Sequence, residues 1–208
     1  MDFRLNQDDV ILQQSVREFV EEQANACWQQ IERDDKLPDA LVDGARDLGL
    51  FGLSVPTEYG GLGLSVLQKA LVHEMLGRGP WGLASYISVH TGIGCVGIIK
   101  FGSEEQKRAY LPKMATGEWL GSFALTEPGA GSDAGGAGAR ARREGDAYVL
   151  DVRKMFITNA SHAQVAVVLA VSDRDNRKRG VTAFAVEMDT PGIRAGKKEN
   201  KLGMRTSD

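Results

Sequence analysis

The sequence predicts an α+β protein: an all-helical N-terminal domain over residues 1–116, followed by a β-domain over residues 117–208. Three observations carry this reading. Apolar residues recur at spacings of three and four up to about Gly117, and beyond it fall in short β-branched or aromatic runs. The two kinds of segment are segregated and do not alternate, which argues against a βαβ sheet. With 208 residues, 42% hydrophobic and 25% charged, the chain is long enough for one large or two small cores.

In the helical half, Leu12, Val16, Phe19, Val20, Cys27 and Ile31 mark one face, and Asn6 with Asp9 supplies a start signal. Pro38 takes the place of a first helical residue, with Leu41, Ala45 and Leu48 on one face before Gly49. Residues 54–65, SVPTEYGGLGLS, are a loop, because a proline and paired glycines forbid a regular element. Val66, Ala70, Leu71, Glu74 and Met75 resume helical spacing up to Gly77. Residues 80–99 carry no Asp, Glu, Lys or Arg and approach the length of a bilayer span. Gly82, Ser85, Ser88, His90 and Thr91 dilute that apolarity, so an interior helix is expected and no membrane. Ser103 caps a short helix that Pro112 is expected to interrupt.

In the second half, residues 119–125, 148–152, 155–158, 165–171 and 181–186 read as strands. Gly145-Asp146 and residues 173–180 read as hairpin connections.

Composition excludes several function classes. A net charge of -3 and a pI near 5.7 give no basic footprint, so no nucleic acid is expected as partner. Two cysteines, Cys27 and Cys95, make no disulfide framework, and the first residues lack the basic, then apolar, character of a signal peptide. A cytoplasmic location is the expectation. His73, His90 and His162 have no partner at ligand spacing, so no metal site is expected. Ser161 and His162 are adjacent, and neighbours on a strand point to opposite faces, so they form no triad.

The segments FALTEPGAGSD (123–133) and KMFITN (154–159) remain as the chemistry-bearing features. Gly129, Gly131 and the small residues after them do not open a helix, which excludes a Rossmann phosphate loop. A nest of backbone N–H groups, with Ser132 adding a hydroxyl, is one reading of the loop. A flexible hairpin with a local Asp133 turn is the other. If residues 155–158 form a strand, Phe156 and Thr158 share its face, and Ser122, Thr126, Ser132, Thr158 and Asn159 could gather at one sheet edge. An aromatic face beside hydroxyl donors is what a flavin ring needs for stacking and hydrogen bonds.

Those two motifs, together with FGSEEQKRAYLPKMATGEW, GVTAFAVEMDTPGI, KLGMRTSD and SVPTEYGGLGLS, resemble the acyl-CoA dehydrogenases in order and spacing over nearly the whole chain. The resemblance implies a helical domain, a β-barrel domain incomplete at its C-terminal end, and a further helical domain beyond Asp208. It implies FAD as cofactor, α,β-dehydrogenation of an acyl-CoA thioester, and an electron-transfer flavoprotein as acceptor. A homo-oligomer is implied for the full-length protein, and the VHTGIG segment favours a short or branched acyl chain. Oxygen-using acyl-CoA oxidases and flavin monooxygenases share the fold and stand as an alternative, as does a non-catalytic binding or scaffold fragment.

Carried over by resemblance, Phe123, Ala124, Leu125 and Thr126 line the flavin, with Leu125 and Thr126 bonding its pyrimidine edge. Gly131 and Ser132 meet the pyrophosphate, and Ser132 also the acyl-CoA. Phe156 stacks beside the ring, with Ile157 next to it, and the Thr158 hydroxyl reaches N5. The run Arg174, Arg177, Lys178 and Arg179 reads as a solvated hairpin tip, with contact to a CoA phosphate as the sharper alternative. The chain departs from the family at Asp151, Val152 and Arg153 before the lysine, and at Gln164 where an Asp is usual. The catalytic Glu is expected beyond Asp208, with Glu127 structural, so the 208-residue chain is expected to be inactive alone.

Overall fold

The computed structural model describes residues 4–173, 175 and 180–208. Helix α1 (Gln7–Phe19) begins where the Asn6 side chain accepts the Asp9 N–H at 2.8 Å, satisfying one of the donors a helix start leaves open. It runs on through a wide π-type turn (Val20–Ala24) and a tight one (Asn25–Cys27) into α2 (Trp28–Asp34), which ends at Asp35 in the left-handed region. Helix α3 (Asp39–Asp47) starts one residue later than its proline suggests. Pro38 has a helical φ of -59° but an extended ψ of 139°, so it caps the helix and is not its first residue. Leu48 also departs from expectation: it lies past the last turn and is exposed, while Leu41 and Ala45 are buried.

Helix α4 (Val66–Leu76) opens on a reciprocal cap in which Ser65 and Gln68 bond each other's backbone N–H. The apolar stretch that follows is two helices, α5 (Trp81–Val89) and α6 (Cys95–Phe101), joined by a wide turn at His90–Gly94 where Gly92 leaves helical geometry at ψ -108°. Together, Trp81–Phe101 is long and apolar enough to cross a membrane, and half of that window is buried inside the molecule. Helix α7 (Glu104–Ala115) is capped by Ser103 and Gln106, and Pro112 does not interrupt it. Leu111, Met114 and Ala115 are buried, and Thr116 N–H still finds the Pro112 carbonyl, so packing holds the last turn despite the missing donor.

After Gly117, with φ at +73°, the chain enters a mixed five-stranded sheet. Its strands are β1 (Gly121–Ala124), β2 (Arg140–Glu144), β3 (Ala147–Asp151), β4 (Val165–Val171) and β5 (Val181–Glu187). Strand β4 is central and almost wholly buried: it pairs with β1 in parallel, meets β2 in parallel at its far end, and takes β5 antiparallel on its other side. The β2–β3 hairpin turns at Gly145 and Asp146 as expected, Gly145 supplying a φ of +62°. The β4–β5 pairing also matches the expected hairpin, though Arg174, Arg177, Lys178 and Arg179 lie outside the described residues.

Two corrections concern the sheet. Residues 155–158 form no strand: Phe156 and Asn159 both have positive φ, and the segment is irregular, bending at Phe156 and turning from Thr158. Strand β2 lacks a sequence signal because four of its five residues are exposed and three are arginines, so only Ala141 shows the alternation.

The two largest clusters of buried side chains among the described residues organise the molecule. One lies among the helices, around Phe51, Leu53, Leu76 and Ile87. The second joins Ile98 of α6 and Leu111 and Met114 of α7 to Val165 and Val167 of β4, so one face of the sheet is covered by helices.

Candidate functional site

The two motifs singled out by sequence meet at the C-terminal end of β1. Glu127 follows that strand, and its carboxylate accepts the Lys154 ammonium at 2.7 Å; the side chains are only 9% and 7% exposed. The same carboxylate accepts the amides of Gly138 at 2.7 Å and Ala139 at 3.1 Å, closing the glycine-rich loop back on itself. Backbone bonds between Glu127 and Ala130 in both directions tighten the Pro128-Gly129 turn. Lys154 also donates to the Leu125 carbonyl at 3.0 Å, and the Met155 N–H donates to the Thr126 carbonyl at 2.9 Å. The loop is therefore built, not slack, and Asp133 makes no side-chain turn among the described residues.

Burial opposes charge on Glu127, yet Lys154 and the two amides outweigh it and hold the carboxyl below its ordinary value. Glu127 is thus committed to the loop, and its acceptor capacity is taken up. Lys154 is the functional residue that sequence reasoning missed. Its signal was an opposite charge to Glu127 among otherwise apolar or small residues, but nothing in the spacing pairs positions 127 and 154.

Phe123 and Ala124 lie on opposite faces of β1. Phe123 packs toward the helices with the cluster around Val165 and Val167, while Ala124 packs with Ala166, Val168 and Ile157 on the other face. Ile157 thereby anchors the 154–159 turns to the sheet. Leu125 and Thr126 present their carbonyls to Lys154 and Met155, and the hydroxyls of Thr126, Ser132 and Thr158 make no hydrogen bond among the described residues. Ser132 and Gly131 are exposed, and a side chain at Gly129 or Gly131 would meet nothing within 4 Å, so a ligand's phosphates could approach the backbone there.

Phe156 is 69% exposed and holds a left-handed φ of +58°, which is rare for an aromatic residue. Its ring is brought to the edge by that turn and not by strand alternation with Thr158. Two expected contributors do not join the edge. Ser122 is fully buried with no partner for its Oγ among the described residues, and Asn159 is buried and donates to the Tyr86 carbonyl at 3.1 Å. Gln164, where the resemblance expects Asp, accepts the Leu120 N–H at 2.8 Å and returns its own N–H to the Leu120 carbonyl. Among the described residues no cluster could hold a metal ion.

A helical domain backed onto one face of a mixed sheet, with an exposed glycine loop and unengaged hydroxyls past one strand end, defines a two-part α+β protein. The chain belongs to the acyl-CoA dehydrogenase family: residues 6–118 match its N-terminal domain and residues 122–208 its middle domain. It is 43% identical over 197 residues to the human mitochondrial short-chain specific acyl-CoA dehydrogenase, covering 95% of this chain and 48% of that protein. Among solved structures, it is 36% identical to an acyl-CoA dehydrogenase from Bacillus anthracis complexed with FAD, with a TM-score of 0.86. That match covers 98% of this chain and 34% of the other. A chain in the structure of the electron transferring flavoprotein of Acidaminococcus fermentans superposes with a TM-score of 0.95 at 37% identity, over 100% of this chain and 55% of that one. The chain spans about half the length of the relatives it matches.

Proposed function

We infer that this chain forms the flavin-binding part of an FAD-dependent acyl-CoA dehydrogenase acting on short-chain thioesters, with an electron-transfer flavoprotein as acceptor. The observation that carries the reading is the pinning of loop 123–133 to turns 154–159 by the Glu127–Lys154 pair, which leaves the Thr126, Ser132 and Thr158 hydroxyls unengaged. FAD, when bound, supplies the acceptor for the hydride leaving the β-carbon of the thioester.

The chain's own residues do the holding and tuning. Leu125 and Thr126 would hold the polar edge of the ring system, where hydrogen bonds favour the negative charge of the reduced state. Thr158 would orient the ring through its hydroxyl, and Phe156, already exposed, would cover it and exclude water. Gly131 and Ser132 would carry the pyrophosphate, with Ser132 also facing the acyl-CoA.

Removal of the α-proton needs a free carboxylate, and Glu127 is engaged by Lys154, Gly138 and Ala139. Glu127 is therefore not free to be that base, and on the family resemblance we place the base outside residues 1–208 and expect no turnover from this chain alone. The unpaired thiols Cys27 and Cys95 agree with a reducing, cytoplasmic setting.

Incubation with FAD, followed by gel filtration and a flavin absorbance spectrum, tests the cofactor. Dye-coupled oxidation of four-carbon against eight- and sixteen-carbon acyl-CoAs by the full-length protein tests the substrate. Stoichiometric flavin with preference for the four-carbon thioester is expected. An apoprotein that takes up no flavin would overturn the reading, as would turnover by residues 1–208 alone for the inactivity claim.

A further inference from the structure

At the other end of β1, a histidine outside the polar edge contacts the first residue of the strand. His90 opens the wide turn between α5 and α6 and is wholly buried. Its Nδ1 accepts the Gly121 N–H at 2.8 Å, and its Nε2 lies 3.0 Å from the Met114 carbonyl. A carbonyl only accepts and an amide N–H only donates, so the partners fix the proton on Nε2 and leave Nδ1 bare. The groups facing the ring are Phe51, edge-on at 5.5 Å and also through its backbone, Cys95 Sγ at 3.8 Å, Met114 and Gly121, and none carries a charge. Burial keeps the imidazole neutral, so this tautomer persists at ordinary pH.

Gly121 is enclosed on its remaining sides. A side chain there would meet Met114 Cε at 2.6 Å and the Gly94 backbone at 3.2 Å. The strand is therefore gripped at its start by α7, by the wide turn and by His90. Its exit, at Leu125 and Thr126, is held by Lys154 and Met155. A strand of four residues, paired with Val165–Val168 along its length, has little slack between its start and its exit.

We propose that His90 is a positioning residue for the flavin edge: by accepting the Gly121 N–H, its Nδ1 sets where β1 starts and hence where Leu125 and Thr126 lie. The proposal rests on the flavin reading above. Two near-isosteric substitutions separate the ring nitrogens. His90→Asn puts an acceptor where Nδ1 lies and loses the contact to Met114. His90→Gln puts a donor where Nε2 lies and leaves Gly121 without its acceptor.

Both variants lose stability, but only His90→Gln is expected to weaken FAD binding, by about tenfold in a fluorescence-quenching titration, with His90→Asn within about twofold. Hydrogen exchange at the Gly121 amide of the apoprotein, faster in His90→Gln than in His90→Asn, reads the same contact without flavin. Equal FAD affinities in the two variants, or equal Gly121 exchange, would overturn the role. Wild-type protein that binds no FAD overturns the flavin reading, while the exchange contrast still decides what Nδ1 does. If His90→Gln does not fold, the 15N imidazole spectrum of the wild type decides: a protonated Nδ1 sinks the proposal.

Discussion

Replacing Glu127 by glutamine tests whether the loop is held by charge. The carboxylate accepts from Lys154 at 2.7 Å, Gly138 at 2.7 Å and Ala139 at 3.1 Å, in a pair less than a tenth exposed. An amide keeps one oxygen for the two backbone donors but turns an NH2 toward the ammonium, so donor faces donor. Stranding one member of a buried pair costs about 3–5 kcal/mol. Lys154 retains the Leu125 carbonyl at 3.0 Å, which offsets part of this, so Glu127→Gln should lose about 2–3 kcal/mol. Urea denaturation at neutral pH reads the loss as a lower midpoint at unchanged slope. Because the folded protein depresses the Glu127 pKa below 4.5, the pair stabilises the wild type above that pH and the contribution is lost as pH falls below it. Glu127→Gln should not show that acid loss. The double variant Glu127→Gln, Lys154→Met removes the stranded charge and should recover most of the stability. A loss under about 1 kcal/mol, or no recovery in the double variant, would refute the argument.

Four further outcomes are expected. His90 is held down to about 4 against an ordinary 6.5, so the unfolded chain binds more protons between these values. Stability should therefore fall by about 3 kcal/mol as pH drops across that window, and His90→Asn should flatten the slope. Ser122→Ala deletes a buried hydroxyl with no partner and should raise stability by about 1 kcal/mol in thermal denaturation; a loss would mean the hydroxyl is bonded. Gly94→Ala places Cβ 2.9 Å from the Gly121 carbonyl and 3.1 Å from that of Val89, backbone atoms that cannot swing aside, and should cost about 1–3 kcal/mol. Gly131→Ala, with nothing within 4 Å, should change stability by under about 0.5 kcal/mol while weakening FAD binding.

The helical half was legible because its signals are local. Asn6 with Asp9 and Ser103 with Gln106 are caps readable within four residues, and the apolar faces follow from one period. Where tertiary packing decides, the local rule gave the wrong answer: Pro112 stays helical because Leu111 and Met114 are buried, and the 80–99 helix breaks at Gly92 to bring His90 over Gly121. In the site, the two motifs were found, but residues 155–158 read as a strand because Met, Phe, Ile and Thr mimic one. Asn159 is a residue type that tolerates positive φ, but nothing in the chemistry of Phe156 signals it. Arg140, Arg142 and Arg143 hid β2, since an edge hairpin exposed on most positions leaves no alternation to read.

The parallel pairing of β1 with β4 governs the order in which this molecule can be assembled. The β2–β3 and β4–β5 contacts join neighbours in sequence and can form early, whereas β1 meets β4 only when the whole 125–164 stretch closes into a loop. The second flavin motif and all of the first except Phe123 and Ala124, which are on β1 itself, lie inside that loop. The cradle is thus absent from any partly folded chain that has made only its hairpins, and loading with cofactor marks chains in which the most distant contact of the sheet has already been made.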